Sequence, residues 1–169
     1  MVAAGCDAAE LYAGGFRVRQ LREVGLTATD LRKAGIGVRE LRVAGRFSAA
    51  ELAAVGVELA ELKEGGYTLT QLQAVGFTAH DLRHVGFKAQ DLEEVGFKAK
   101  DLRECGYSVE ELAQCGFTAE AFRAAGFTAA ELKQHAGLTP KELKAGGYTL
   151  PEIKAAGYQA HQLRSIGVL

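Results

Sequence analysis

The sequence predicts an all-α fold, a superhelical solenoid of about sixteen short helices with one helix per ten-residue repeat. Three observations predict it. Glycine falls at positions 5, 15, 25, 35 and 45, then in steps of ten from 56 to 126, then at 137, 147, 157 and 167. A leucine stands four residues before nearly every one of these glycines, directly after an acidic residue or glutamine. A Ser, Thr or Asp stands three residues before that acidic position in ten of the sixteen repeats. Self-similarity at a fixed period marks a repeat architecture and takes precedence over any local reading.

The stretch Gly76-Phe77-Thr78-Ala79-His80-Asp81-Leu82-Arg83-His84-Val85-Gly86 serves as the type unit. Thr78 and Asp81 form a capping-box pattern. The hydroxyl satisfies an orphan amide of the first turn, and the acid reaches back to the cap's own amide. Phe77 and Leu82 are placed as a hydrophobic staple. Gly86 then ends the helix in a left-handed conformation that needs no Cβ. The cap recurs as Asp7, Thr27, Ser48, Thr68, Thr78, Ser108, Thr118, Thr128, Thr139 and Thr149. The third helical position is acidic or Gln everywhere except Ala121, and the fourth is Leu except at Phe122 and Ile153. Pro140 and Pro151 fall in first turns, where a missing amide does no harm.

Helices of about seven residues, about 10 Å long, are unstable alone and must be held by their neighbours. The residue after each glycine therefore plugs the corner between successive helices. No clear twenty-residue alternation separates odd from even repeats, so the expected structural unit is a single helix rather than a helix pair. Two steps of eleven residues, Gly45 to Gly56 and Gly126 to Gly137, should be local bulges. Arg46 is the extra residue of the first, in the corner; the extra residue of the second lies inside the helix Leu132-Lys133-Gln134-His135-Ala136. Residues 1–169 read as one repeat array without recognisable terminal caps.

Units such as Gly126-Phe127-Thr128-Ala129-Ala130-Glu131-Leu132-Lys133 resemble the tandem GFTAxELKxA-type decapeptide repeats, and the resemblance covers essentially the whole chain. It implies the repeat fold and no activity. Leucine-rich repeats are a poor match, because the asparagine ladder and the strand-like L-x-L segment are missing.

Composition agrees with a folded, non-membrane chain. Apolar residues make up 48%, charged residues 24%, and the formal net charge is −1, which gives no overall attraction to nucleic acid or anionic lipid. No apolar run reaches the length of a membrane span. The opening Met1-Val2-Ala3-Ala4-Gly5-Cys6-Asp7 does not read as a secretory signal, and three cysteines form no disulfide framework, so a cytoplasmic location is expected.

Candidates for chemistry are few. His80 and His84, at i and i+4, could present two imidazoles to a metal, but the pattern places both on the surface without a third ligand. Cys105 and Cys115 occupy a position otherwise held by small apolar residues, and Cys6 a corner position, so all three read as core filler. Ser48 and Ser108 are caps, and neither Ser165, His135 nor His161 has an evident catalytic partner. No catalytic residue, cofactor or resident metal is expected, and the protein reads as a non-enzyme.

Charge supplies the remaining signal. The position after the Leu is basic in eleven repeats: Arg22, Arg32, Arg42, Lys63, Arg83, Arg103, Arg123, Lys133, Lys144, Lys154 and Arg164. These form a candidate interaction surface beside a parallel acidic ridge. Residues 1–50 carry +3, residues 51–120 carry −7 and residues 121–169 carry +3, a pattern that could guide docking or self-association. The expected function is that of a structural scaffold that self-assembles end to end into oligomers or filaments. The alternative is a solenoid module that binds a protein or peptide. Nucleic acid is disfavoured, because the acidic ridge opposes phosphate.

Overall fold

The computed structural model describes residues 7–167. All sixteen predicted helices form, and no strand occurs among the described residues. Most are six residues long, one fewer than expected. The chain divides into two compact units, Met1–Val85 and Gly86–Leu169. The first holds α1 (Ala8–Ala13), α2 (Val18–Glu23), α3 (Ala28–Lys33), α4 (Val38–Val43), α5 (Ala49–Ala54), α6 (Leu59–Glu64), α7 (Leu69–Val75) and α8 (Ala79–His84). The second holds α9 (Ala89–Glu94), α10 (Ala99–Glu104), α11 (Val109–Gln114), α12 (Ala119–Ala124), α13 (Ala129–Glu131, continued by a π-turn over Leu132–Ala136), α14 (Pro140–Ala145), α15 (Leu150–Ala155) and α16 (Ala160–Arg164). Cys6, Gly5 and the residues after Gly167 lie outside the described residues.

The helices start as the sequence dictates. Thr27, Ser48, Thr68, Thr78, Ser108, Thr128, Thr139 and Thr149 each accept from the third helical amide while that residue's side chain accepts from the cap amide. Where the cap is Arg17, Lys88, Lys98 or Gln159, half of the box survives: the cap amide still donates to Gln20, Asp91, Asp101 or Gln162 at 2.9–3.2 Å. Where the acid is missing, at Ala121, the Thr118 hydroxyl still accepts the Ala121 amide at 3.2 Å. The two halves of the box are thus separable, and nearly every repeat keeps at least one.

The ends are Schellman motifs. In a regular repeat the amide after the glycine donates to the Leu carbonyl five residues back, as Phe97 does to Leu92 at 3.0 Å, and the glycine is left-handed, with φ 95° at Gly96. Both eleven-residue steps keep this closing bond and lengthen the loop beneath it. Phe47 donates to Leu41 at 3.0 Å and Leu138 to Leu132 at 3.2 Å, each six residues back. The second insertion widens its helix into a π-turn, as expected. The first differs from expectation. Gly45 continues the last turn, bonded to the Glu40 carbonyl, and Arg46 takes the left-handed position with φ 54°. Position relative to the next corner, and not residue type, decides which residue ends the helix.

Packing follows a rule the ten-residue period conceals: a helix rests on its next-but-one neighbour. In the first unit α1 packs on α3, α4 on α6 and α5 on α7. In the second, α9, α11, α13 and α15 follow one another in contact, as do α10, α12 and α14. Odd and even helices therefore form two stacks within each unit. The fourth-position residues fill the space between: Leu21, Leu31, Leu41, Leu52, Leu62, Leu72, Leu82, Leu92, Leu102, Leu112 and Phe122 are sealed from solvent. Each such burial is worth about 1.5–3 kcal/mol, which is what holds helices too short to stand alone. Contact is closest where a second glycine precedes the helix stop. A Cβ on Gly146 would collide with the side chain and main chain of Ala119, at the start of the helix two repeats earlier.

Candidate functional site

Six of the eleven basic residues after the Leu reach the end of the next-but-one helix. Arg22 donates to the Gly45 carbonyl and Arg42 to that of Gly65, both at 2.7 Å; Lys63 donates to the carbonyl of Val85. In the second unit Arg103 donates to Ala125 at 2.7 Å, Lys133 to Ala156 and Gly157, and Lys144 to Ile166 at 2.9 Å. Each acceptor lies 22–24 residues on, at the C-terminal end of the next-but-one helix. A cation there meets the orphan carbonyls and the negative end of the helix dipole.

The same side chains cover the next corner ring. The guanidinium of Arg22 lies 4.1 Å from the centre of the Phe47 ring, and that of Arg103 4.3 Å from Phe127. Arg42 faces Tyr67, Arg123 faces Tyr148 and Lys133 faces Tyr158. Arg22 and Arg32 also pair, at 2.7 Å, with Glu51 and Glu61, the third-position acids 29 residues on. Much of the predicted interaction surface is thus employed inside the chain. Arg83, Arg123, Lys144, Lys154 and Arg164 are the more exposed members.

The corner tyrosines repeat the two-repeat register in the other direction. The hydroxyl of Tyr67 donates to the Phe47 carbonyl, Tyr107 to Phe87, Tyr148 to Phe127 and Tyr158 to Leu138, 20 or 21 residues back. Burial raises the hydroxyl pKa of Tyr67, Tyr148 and Tyr158, that of Tyr148 to about 12. Tyr12 is raised for another reason, its hydrogen bond to the Glu40 carboxylate.

A signal for this register is present in the sequence, at positions where an inner–outer alternation of apolar residues would not show it. Even repeats are basic after the Leu without exception: Arg22, Arg42, Lys63, Arg83, Arg103, Arg123, Lys144 and Arg164. Odd repeats are basic there only at Arg32, Lys133 and Lys154. Corners after the even helices from α4 to α14 alternate Phe47, Tyr67, Phe87, Tyr107, Phe127, Tyr148.

The remaining candidates are placed as follows. His80 and His84 are exposed and meet edge to face, ring centres 4.6 Å apart, beside a shallow hollow that includes Glu58 and Asp81. Among the described residues no three His, Cys, Asp or Glu side chains stand where one metal ion could join them. Cys115 is half-buried, its thiol directed at the Glu111 carbonyl, and burial raises its pKa. Cys105 is half-buried as well. His135, in the π-turn, pairs with Glu110 of α11. Among the described residues no helix is long and apolar enough to cross a membrane.

No curated protein and no solved structure matches the chain. The family model of the decapeptide repeat region matches residues 1–59, 46–119 and 96–169, which together span the chain, and the protein belongs to this family of tandem decapeptide repeats.

Proposed function

We propose that the protein is a non-enzymatic structural scaffold whose decapeptides wind as a superhelical solenoid with two repeats to the turn. The observation that carries this reading is the shared register of its polar contacts. Basic residues reach 22–24 residues forward to helix ends, and tyrosines reach 20 or 21 residues back to corner carbonyls. The groups that recur in the repeat are thereby committed to joining one turn to the next. The variable second helical position, occupied by such exposed residues as Arg39, His80, Lys100 and Lys141, is left to face the surroundings.

End-to-end association belongs to the same reading. A helix that packs on a next-but-one neighbour on either side meets an equivalent apolar surface in a second array, and such a head-to-tail contact extends without closing.

The winding is tested by insertion after Gly106. Two added repeats keep odd and even stacks in register, and cooperative unfolding with undiminished helix content per residue is expected. One added repeat exchanges the stacks beyond the insertion and is expected to lower stability markedly. Equal tolerance of both insertions would overturn the two-repeat turn. End-to-end association is tested by mass across a concentration series, where a strict monomer removes that part.

A further inference from the structure

The two stacks differ in charge. In the first unit the odd repeats carry two basic and four acidic residues, and the even repeats eight and six. In the second unit the odd repeats carry three and seven, the even repeats seven and four. Both units thus have a negative odd stack and a positive even stack, although the chain as a whole is nearly neutral, at −1. The segregation is carried in part by the position after the Leu, basic in every even repeat, and in part by outward-facing residues. The second helical position of the even repeats holds Arg19, Arg39, Lys100 and Lys141, all exposed, against one acid, Glu120, whereas the odd repeats carry no basic residue there. The acidic excess on the odd side includes exposed Glu94 and Glu110.

We infer that copies of this chain associate side by side, the even stack of one copy against the odd stack of another. Charge complementarity identifies the occupant. The two surfaces are opposite in sign, and in each unit the imbalance on one stack nearly cancels that on the other. They are also built from the same decapeptide, with the same spacing from one repeat to the next. Another partner would have to supply that spacing independently. A nucleic acid fits less well. Duplex DNA carries a charge every ~1.7 Å, and the even stack intersperses acids such as Asp101, Glu104 and Glu142 among its cations. After a contact forms, one copy keeps its odd surface free and the other its even surface, so the association is open-ended and lateral. Exposed ion pairs contribute little singly, which makes the contact weak and governed by ionic strength.

The inference rests on the two-stack reading, but its failure would leave that reading intact, since register is tested by insertion and not by mass. Sedimentation of the full chain at about 0.01 M salt, where charges act over ~30 Å, should show weight-average mass rising at least about twofold with concentration. At about 1 M salt, where the range shrinks to ~3 Å, that increment should vanish. A K98E/K100E/K141E variant turns the even stack of the second unit acidic, and an E94K/E110K variant makes its odd stack less acidic. Each should lose the salt-sensitive association alone, and an equimolar mixture should regain it. Far-UV circular dichroism matching the parent shows that each variant is folded. A monomer at low salt, association indifferent to salt, failure of the mixture to complement, or capture of a DNA duplex in place of self-association would each overturn the proposal.

Discussion

The hydroxyl of Tyr148 donates to the main-chain carbonyl of Phe127 at 2.7 Å, across 21 residues, and both side chains are buried. This bond fastens the corner after α14 to the corner after α12. Tyr148→Phe keeps the ring and deletes the donor, leaving a buried carbonyl without its partner. The expected cost is about 1–3 kcal/mol in denaturant unfolding. Tyr12→Phe is the control. Its hydroxyl binds Glu40 at the surface, and the change should leave the unfolding midpoint nearly unmoved.

The same burial sets a pH dependence. Tyr148 titrates at about 12 in the folded chain, against an ordinary value of 10, because burial disfavours the phenolate. A group whose folded pKa is raised contributes stability that is fully present below its unfolded pKa and is lost as pH rises through the folded one. The loss is therefore expected between pH 10 and about 12. Tyrosinate absorbance should rise late and together with unfolding, and Tyr148→Phe should weaken that coupling. Full ionisation of all tyrosines near pH 10 with the helices intact would contradict it.

Acid should act through the caps. The hydroxyls of Thr27, Thr78 and Thr139 hold the carboxyls of Asp30, Asp81 and Glu142 below their usual range, seconded by the cap amides. The amides of Ser48, Thr128 and Thr149 lead the same effect on Glu51, Glu131 and Glu152. With folded pKa values depressed, this stability is present above the unfolded carboxylate pKa of about 4 and is lost as pH falls through the folded values. Helix content followed by circular dichroism should thus drop below about pH 4. Replacing Glu142 by Gln should flatten that drop, and an acid transition unaltered by cap substitutions would count against this mechanism.

Arg46 occupies a conformation that side chains resist, with φ 54° where regular repeats place glycine. The left-handed form costs a non-glycine residue about 1–2 kcal/mol, partly offset because glycine gains more freedom when unfolded. Arg46→Gly should therefore stabilise the chain by up to about 1 kcal/mol. The reverse experiment is Gly76→Ala, at φ 103° with open space around the missing Cβ. It should destabilise by about 1–2 kcal/mol through the backbone alone. Equal and small effects at both sites would show that the left-handed turn carries no strain.

Local order was legible in the sequence because its causes lie within ten residues. Thr78, Asp81, Leu82 and Gly86 announce a cap, an acid, a core contact and a stop, and each stands where the repeat places it. The register between alternate helices was not legible in the same way. Its contacts join residues 20–29 apart, such as Tyr67 to Phe47 and Arg22 to Glu51, and they lie at the rims of the stacks rather than among the uniform leucines. The basic position of the even repeats records that register only once one knows that alternate helices touch. Gly45 misled for a related reason. Its place in the count suggests a helix stop, yet the closing bond from Phe47 to Leu41 makes the residue next to the corner, Arg46, turn left-handed.

The predicted basic surface combines residues bonded to the next-but-one helix, such as Arg103, with residues that stand exposed, such as Lys154. Arg103 donates to the Ala125 carbonyl at 2.7 Å and covers the Phe127 ring at 4.3 Å, so Arg103→Gln surrenders a charged hydrogen bond and a cation–π contact together. The expected loss is about 1–2 kcal/mol, since the site is only partly shielded from water. Arg103→Lys should recover part of it, because an ammonium can reach the carbonyl but cannot lie flat on the ring. Lys154, exposed on α15, should tolerate Gln within about 0.5 kcal/mol. If thermal or denaturant unfolding shows both positions to be equally silent, the cations are surface solvation, and the joint between alternate helices must rest on the leucines and the tyrosine bonds alone.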